Sequence, residues 1–256
     1  MNKSKTSIFF DSWIMFKRCF IISMRNPETL LTATITPFCL MLLFGLVFGN
    51  IADIGDFNYI DFIVPGIILQ SIGQASQYSA INVTADMTKG IIDRFRCMSI
   101  SKSAVLMGHT GTGVIRSIIS TVVIIVTALI LGFRPQAGLI DWLFILLLLF
   151  LINITVTQIA ILCGMISKSV EGAIGMLFPL FILPFISSGF APVDTMPIGI
   201  RWFAMVQPMT PMIDSLRALT LGLPVGNSLW IALAWCMTII IVSFTASMWI
   251  YNRRIS

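Results

Sequence analysis

Apolar residues run without a break for about twenty positions at a time, repeatedly along the chain, and this leaves very few folds open. A helix of roughly 20 apolar residues crosses a hydrocarbon core of about 30 Å. In lipid every backbone N–H and C=O must find its partner inside the protein, so only helices or closed barrels can span. A barrel strand would alternate apolar with polar residues. Trp142–Ile152 reads WLFILLLLFLI and does not alternate, so helices are expected. Charged residues make up 11% of the chain and mean hydropathy is +0.96, against about 25% charged residues in a soluble domain. The fold expected is an all-α integral membrane protein of one domain, 1–256, with six transmembrane helices.

The spans are expected at 30–48, 59–83, 104–133, 142–166, 170–190 and 228–250. Within the first, Thr36-Pro37 marks a kink. The third has its unbroken apolar core at Ser117–Phe133, after a softer stretch rich in glycine from Gly108 to Gly113. Ahead of the spans, 7–25 reads as an amphipathic helix. Phe9, Trp13, Phe16, Phe20 and Met24 form one stripe, with Asp11, Arg18 and Arg25 recurring every seven residues on the other side and Lys17 beside them. An aromatic face opposite a charged one describes a helix lying in the membrane interface. Lys17 and Arg18 also interrupt any apolar core of a cleavable signal, and none is expected. Residues 191–226 carry Pro192, Pro197, Pro208, Pro211 and Pro224. Short amphipathic pieces fit between them at 198–206 and 211–221, as in a re-entrant hairpin.

The net charge of +5 does not form one basic patch, which argues against nucleic acid. With the N-terminus in the cytoplasm and six spans, all of the 16 Lys and Arg residues except Arg134, Arg201 and Arg217 fall on the cytoplasmic side. That asymmetry sets the orientation, with both termini cytoplasmic. The five cysteines are far apart with no CxxC, and the lone His109 has no ligand at metal spacing, so no metal site is expected.

The loop after the second span, DMTKGIIDRFRCM, repeats Met87, Ile91, Phe95 and Met98 on one side. Asp86, Lys89, Asp93 and Arg96 lie on the other, spaced for helical ion pairs. It reads as a short cytoplasmic amphipathic helix over 86–98, either a solvated connector or a piece that passes a partner's motion to the spans.

The stretch KGIIDRFRCMSISKSAVLMGHTGTGVIRS, which begins in this loop, and LGFRP further along the chain resemble the type-2 ABC exporter permeases of the daunorubicin-resistance kind. So does SSGFAPVDTMPIGIRWFAMVQPMTPMIDSLRALTLGLP near the other end. The resemblance covers essentially the whole chain. It implies an interfacial elbow helix at the start, a coupling helix between the second and third spans, and a re-entrant hairpin before the sixth. It implies a second permease copy, pairing as a homodimer, and two copies of an ABC ATP-binding subunit docked from the cytoplasm. Thr88, Lys89, Gly90, Asp93, Arg94 and Arg96 would then lie in or beside the ATPase-coupling element, with Lys17 and Arg18 facing the same partner or lipid headgroups. Family members commonly have a proline where this chain has Ser99, so the local turn lacks that constraint.

No Gly-x-x-x-x-Gly-Lys-Ser/Thr occurs, so the chain is expected to bind no cofactor itself and to be no enzyme. ATP and Mg would sit on the partner subunit. Gln70, Gln74 and Gln77 share one face of the second span, and Asn153 and Thr157 lie in the fourth. Such side chains either line a substrate path or join helices by hydrogen bonds. Mid-span carboxylates and lysines are absent, which disfavours a proton-coupled carrier. The function expected is the permease subunit of an ATP-driven exporter in the bacterial plasma membrane, moving a drug-like, lipid-like or peptide-like compound. The alternatives are a non-ABC carrier or channel, a membrane-embedded enzyme, and an immunity protein that binds without transporting.

Overall fold

The computed structural model describes residues 8–25, 27–49, 58–91 and 101–253, and among them there is no strand. In chain order the helices are α1 (Ile8–Met24), α2 (Pro27–Leu43), α3 (Tyr59–Thr88), α4 (Lys102–Ile130), α5 (Leu139–Ile166), α6 (Val170–Ile182), α7 (Ile198–Val206), α8 (Met209–Leu221) and α9 (Ser228–Arg253). Helix α2 runs through Pro37 and passes into a π-helical turn at Phe44–Phe48, while α6 tightens into a 3-10 turn at Leu183–Ile186.

Local chemistry accounts for many of the boundaries. The Ser169 side chain accepts from Gly172 N at 3.1 Å and so satisfies a free donor at the start of α6. Asp141 accepts from Gly138 N at 2.9 Å at the start of α5. Gly222 ends α8 with φ 65°, and Gly90 follows α3 with the same φ, a backbone state that glycine adopts without steric cost.

Helices α4, α5 and α9 are long and apolar enough to cross a membrane. Shorter apolar helical stretches occupy Leu31–Val47 and Val170–Ile186. Helix α3 is the longest at 30 residues, about 45 Å of rise, yet it is less apolar than those three. Its place explains this. It packs against α2, α4, α5, α6 and α8 and is buried along most of its length, so its polar residues meet protein rather than lipid. The core forms around it, with Ile63, Ile67, Ile72, Leu148, Ile152 and Ile213 sealed from solvent. Helix α9, at the periphery, exposes Trp230, Ile231, Met237, Ile241, Val242 and Trp249.

Glycines let the helices touch. A Cβ on Gly164 of α5 would stand 2.6 Å from Ala80 O of α3, and one on Gly66 would stand 2.7 Å from Gly189 Cα. Residues 102–130 form one continuous helix over the expected third span, in which the glycines at 108, 111 and 113 are packing contacts. One feature differs from the sequence reading. Asp86–Thr88 form the last turn of α3 instead of starting a new helix, since the chain leaves the α conformation only at Lys89 and Gly90. The rest of the expected coupling helix, from 92 to 98, lies outside the described residues.

Candidate functional site

Helix α1 lies lengthwise along the first half of α4, in the same direction. It buries Asp11, Met15, Cys19 and Ser23, one residue per turn, and turns Phe9, Trp13 and Met24 outward. Two glycines make the contact possible. A Cβ on Gly108 would lie 2.8 Å from Met15 C, and one on Gly111 would lie 2.9 Å from the Phe16 ring. The expected stripe is therefore present, but the side carrying Asp11 and Arg18 meets protein.

That side fastens both ends of the segment joining α3 to α4. At its far end Asp11 Oδ2 accepts from Ser101 N at 3.1 Å, just before α4 begins. At its near end Arg18 grips Asp86 with two hydrogen bonds, Nη1 to Oδ2 at 2.9 Å and Nη2 to Oδ1 at 3.1 Å. A fork meeting a carboxylate in this way fixes orientation as well as charge. His109 of α4 completes the junction, with Nε2 at 3.3 Å from Asp86 Oδ2 and Nδ1 at 3.9 Å from Cys19 Sγ. Three helices, α1, α3 and α4, thus meet on one carboxylate. Asp86 lies beyond residue 83, the end expected for the span. Burial raises its carboxyl, but the adjacent His109 imidazole and the Arg18 hydrogen bonds outweigh this and hold it at about 2. A cavity of about 240 Å³ adjoins the junction, lined by Arg18, Cys19, Asn82, Asp86, Lys89 and His109 among others.

Of the residues expected at the coupling element, Thr88 is exposed and its Oγ1 donates to Thr84 O at 2.9 Å. Lys89 is exposed and Gly90 half-buried, beside the junction. Asp93, Arg94 and Arg96 lie outside the described residues. Lys17 is exposed, whereas Arg18 is held in the junction. Sequence reasoning did not find Asp86 and His109 as partners, because they are 23 residues apart and neither has a local signal.

The polar residues of the spans divide in two. Gln70 is buried, and neither its Oε1 nor its Nε2 has a partner among the described residues. Asn153 Nδ2 donates to Leu149 O at 2.7 Å, and Thr157 Oγ1 lies 3.3 Å from Ser76 Oγ, both buried between helices. Gln74 and Gln77 are half-buried on the open side of α3.

A second polar cluster holds the opposite end of α3. Arg217 of α8 donates from Nε and Nη2 to Phe62 O at 3.2 and 3.1 Å and from Nη2 to Ser188 O, and its Nη1 pairs with Asp214 at 2.9 Å. Its Cζ sits 3.8 Å over the Phe62 ring. The Asp214 contact is the local i,i+3 pair legible in the sequence; the two carbonyl contacts are not.

The family profile described as ABC-2 type transporter matches residues 11–221, most of the chain. The chain belongs to that family. It is 26% identical over 197 residues to the daunorubicin resistance ABC transporter permease protein DrrB1 of Streptomyces coeruleorubidus, covering 77% of this chain and 70% of that one. It is 25% identical over 223 residues to the probable doxorubicin resistance ABC transporter permease protein DrrC of Mycobacterium tuberculosis, covering 85% and 79%. To the inner membrane transport permease YadH of Escherichia coli K12 it is 28% identical over 202 residues, 77% of each chain. The family and the apolar helices together make this chain a multi-pass membrane subunit of an ABC transporter.

Proposed function

We propose that this permease exports a drug-like, lipid-like or peptide-like compound by alternating access, driven by a separate ATP-binding subunit present in two copies. Two permease chains pair as a homodimer, and both termini face the cytoplasm. The six spans are 30–48, 59–83, 104–133, 142–166, 170–190 and 228–250, carried by α2, α3, α4, α5, α6 and α9 in turn. Helix α1 is the elbow, 86–98 the coupling element and 191–226 the re-entrant outer hairpin. ATP and Mg act on the partner alone. Relatives named for daunorubicin and doxorubicin resistance support a drug-like compound.

One observation carries the coupling reading: Arg18–Asp86 and Asp11–Ser101 tie both ends of the 89–101 segment to α1. A push on that segment by the closing ATPase dimer would then reach α3, α4 and α1 together. Such a push selects a transport state only if the two permease states meet the ATPase differently. Gln74 and Gln77, on the open side of α3, are the better placed of the polar span residues to meet a transported compound. Gln70, Asn153 and Thr157 serve packing.

The test is to co-express the chain with an ABC ATP-binding subunit, purify the complex, and measure ATP hydrolysis and vesicle transport. Stable association with coupled transport is expected. Replacing Asp93 and Arg94 should abolish transport while membrane insertion persists, and transport surviving both changes would overturn the coupling assignment.

A further inference from the structure

Arg116 is a buried cation whose charge no described residue balances. It is 3% exposed, on the side of α4 that meets α1 and α3. Its Nη2 donates to Ser23 Oγ, a neutral hydroxyl, and its Cζ lies 4.8 Å from the centre of the Tyr78 ring. Its Nε has no partner among the described residues. None of the described carboxylates comes within 4.0 Å of it. A guanidinium keeps its proton in proteins, so it cannot relieve burial by becoming neutral. Burying a charge without a counter-ion is costly, and a buried ion normally has one.

A cleft of about 10 Å³ reaches Arg116 from the surface between α1 and α4. Phe20, Ser23 and Met24 form one wall; Thr112, Ile115 and Ile119 form the other. That volume admits roughly one oxygen-sized group and not a whole headgroup. The cleft opens on an apolar surface, where Met24 and Ile119 are exposed and Val122 and Val126 continue the strip along α4. A hydrated free anion would have to shed its water to enter there. An amphiphile already in the bilayer can present an anionic oxygen at the cleft and lay its chains on the strip.

We propose that Arg116, with the Ser23 hydroxyl, binds one anionic oxygen of a phospholipid phosphate where α1 meets α4, the acyl chains lying along Ile119, Val122 and Val126. The lipid then acts as a counter-ion and holds the elbow helix to the bundle. The inference rests on the reading of this chain as a membrane permease.

The full-length chain, purified in detergent and washed, is assayed by native mass spectrometry for retained phospholipid and titrated with phosphatidylglycerol. R116Q is compared with wild type, R116K and K168Q. Wild type should retain about one phospholipid per chain more than R116Q, with R116Q binding at least about ten-fold more weakly. R116K should keep much of the retention, and K168Q, which alters an exposed cation in the turn between α5 and α6, should match wild type. R116Q removes an unpaired buried charge and should therefore fold, which its thermal unfolding checks; R116K carries the test independently. Equal retention by wild type and R116Q overturns the site, as does equal loss in K168Q. Displacement of the lipid by inorganic phosphate assigns the anion to solution and overturns the lipid reading. Co-purification of the ATP-binding subunit tests the permease reading separately.

Discussion

The junction on Asp86 makes a prediction in which the two partners lose unequally. Arg18 is 26% exposed at its side chain and Asp86 11%, so removing one partner differs from removing the other. R18A leaves a nearly buried carboxylate with His109 at 3.3 Å as its remaining cationic contact. Breaking a fully buried pair costs about 3–5 kcal/mol, and the partial exposure of Arg18 brings the expected loss down to about 2–3 kcal/mol. D86N leaves a guanidinium that can turn to water and a buried His109 that can shed its proton, so its loss should be about 1–2 kcal/mol. The double variant should lose less than the sum, with a coupling of about 1–2 kcal/mol. Equilibrium unfolding of the four proteins in mixed micelles measures this cycle. Helix α1 should also loosen in R18A, seen as faster hydrogen exchange at Asp11 to Ser23. The Asp86 carboxyl is held below its ordinary value at about 2, so its contribution is full above about pH 4 and fades as pH falls through 2. The gap between wild type and R18A should therefore stay level from pH 8 to pH 5. Additivity within about 0.5 kcal/mol, or a gap that closes within that range, would refute the reasoning.

Glycine contacts, the Arg217 fork and the span glutamines each give a further expected outcome. G108V should cost about 1–3 kcal/mol and release α1, because the new Cβ meets Met15 backbone rather than a movable side chain, while G73A, with open space around it, should be neutral or stabilising; thermal unfolding compares them. R217K should destabilise almost as much as R217M, about 2–4 kcal/mol in each case, because one ammonium cannot bond the carbonyls of Phe62 and Ser188 with the forked geometry that Arg217 uses; the same assay reads it. Q74L and Q77L should alter the concentration of compound that half-stimulates ATP hydrolysis with little effect on stability, whereas N153L should lower stability and leave that concentration unchanged.

Much of the helix pattern was legible because it is written in local chemistry. Pro197 and Pro208 stand immediately before the helices Ile198–Val206 and Met209–Leu221, and Pro211 falls in the first turn of the second, where a missing N–H costs little. The alternation of aromatic and charged residues in 8–24 marked a helix and its two sides. It could not tell what each side meets, because the partners of Asp11 and Arg18 are Ser101 and Asp86, 90 and 68 residues away. The same holds for His109, whose neighbours Asp86 and Cys19 come from two other helices. The three glutamines share a face at i, i+4 and i+7, which the sequence displays. Their different exposure comes from depth along α3, since neighbouring helices close around Gln70 and part beside Gln74 and Gln77. No spacing rule carries that information.

The two polar clusters stand at opposite ends of one helix, and this bears on how a coupled motion would travel. Between Phe62 and Asp86 lies most of the rise of α3, roughly 36 Å at 1.5 Å per residue. Along that length Ile63, Ile67 and Ile72 are sealed in the core, so bending there would open voids on several sides at once. The weak point is near the start. Pro65 removes one backbone donor, and Gly66 allows the touching of Gly189 that a side chain would prevent. A displacement applied at the Asp86 end would therefore move most of α3 as a rod and concentrate strain at residues 62–66. Arg217 there binds the Phe62 carbonyl and, through Ser188, the chain leading into 191–226, the proposed outer hairpin. Breaking those three hydrogen bonds to two carbonyls is a smaller step than unpacking the rod. The hairpin would thus be released at one end of α3 by force delivered at the other, with Arg217 setting how much force is needed.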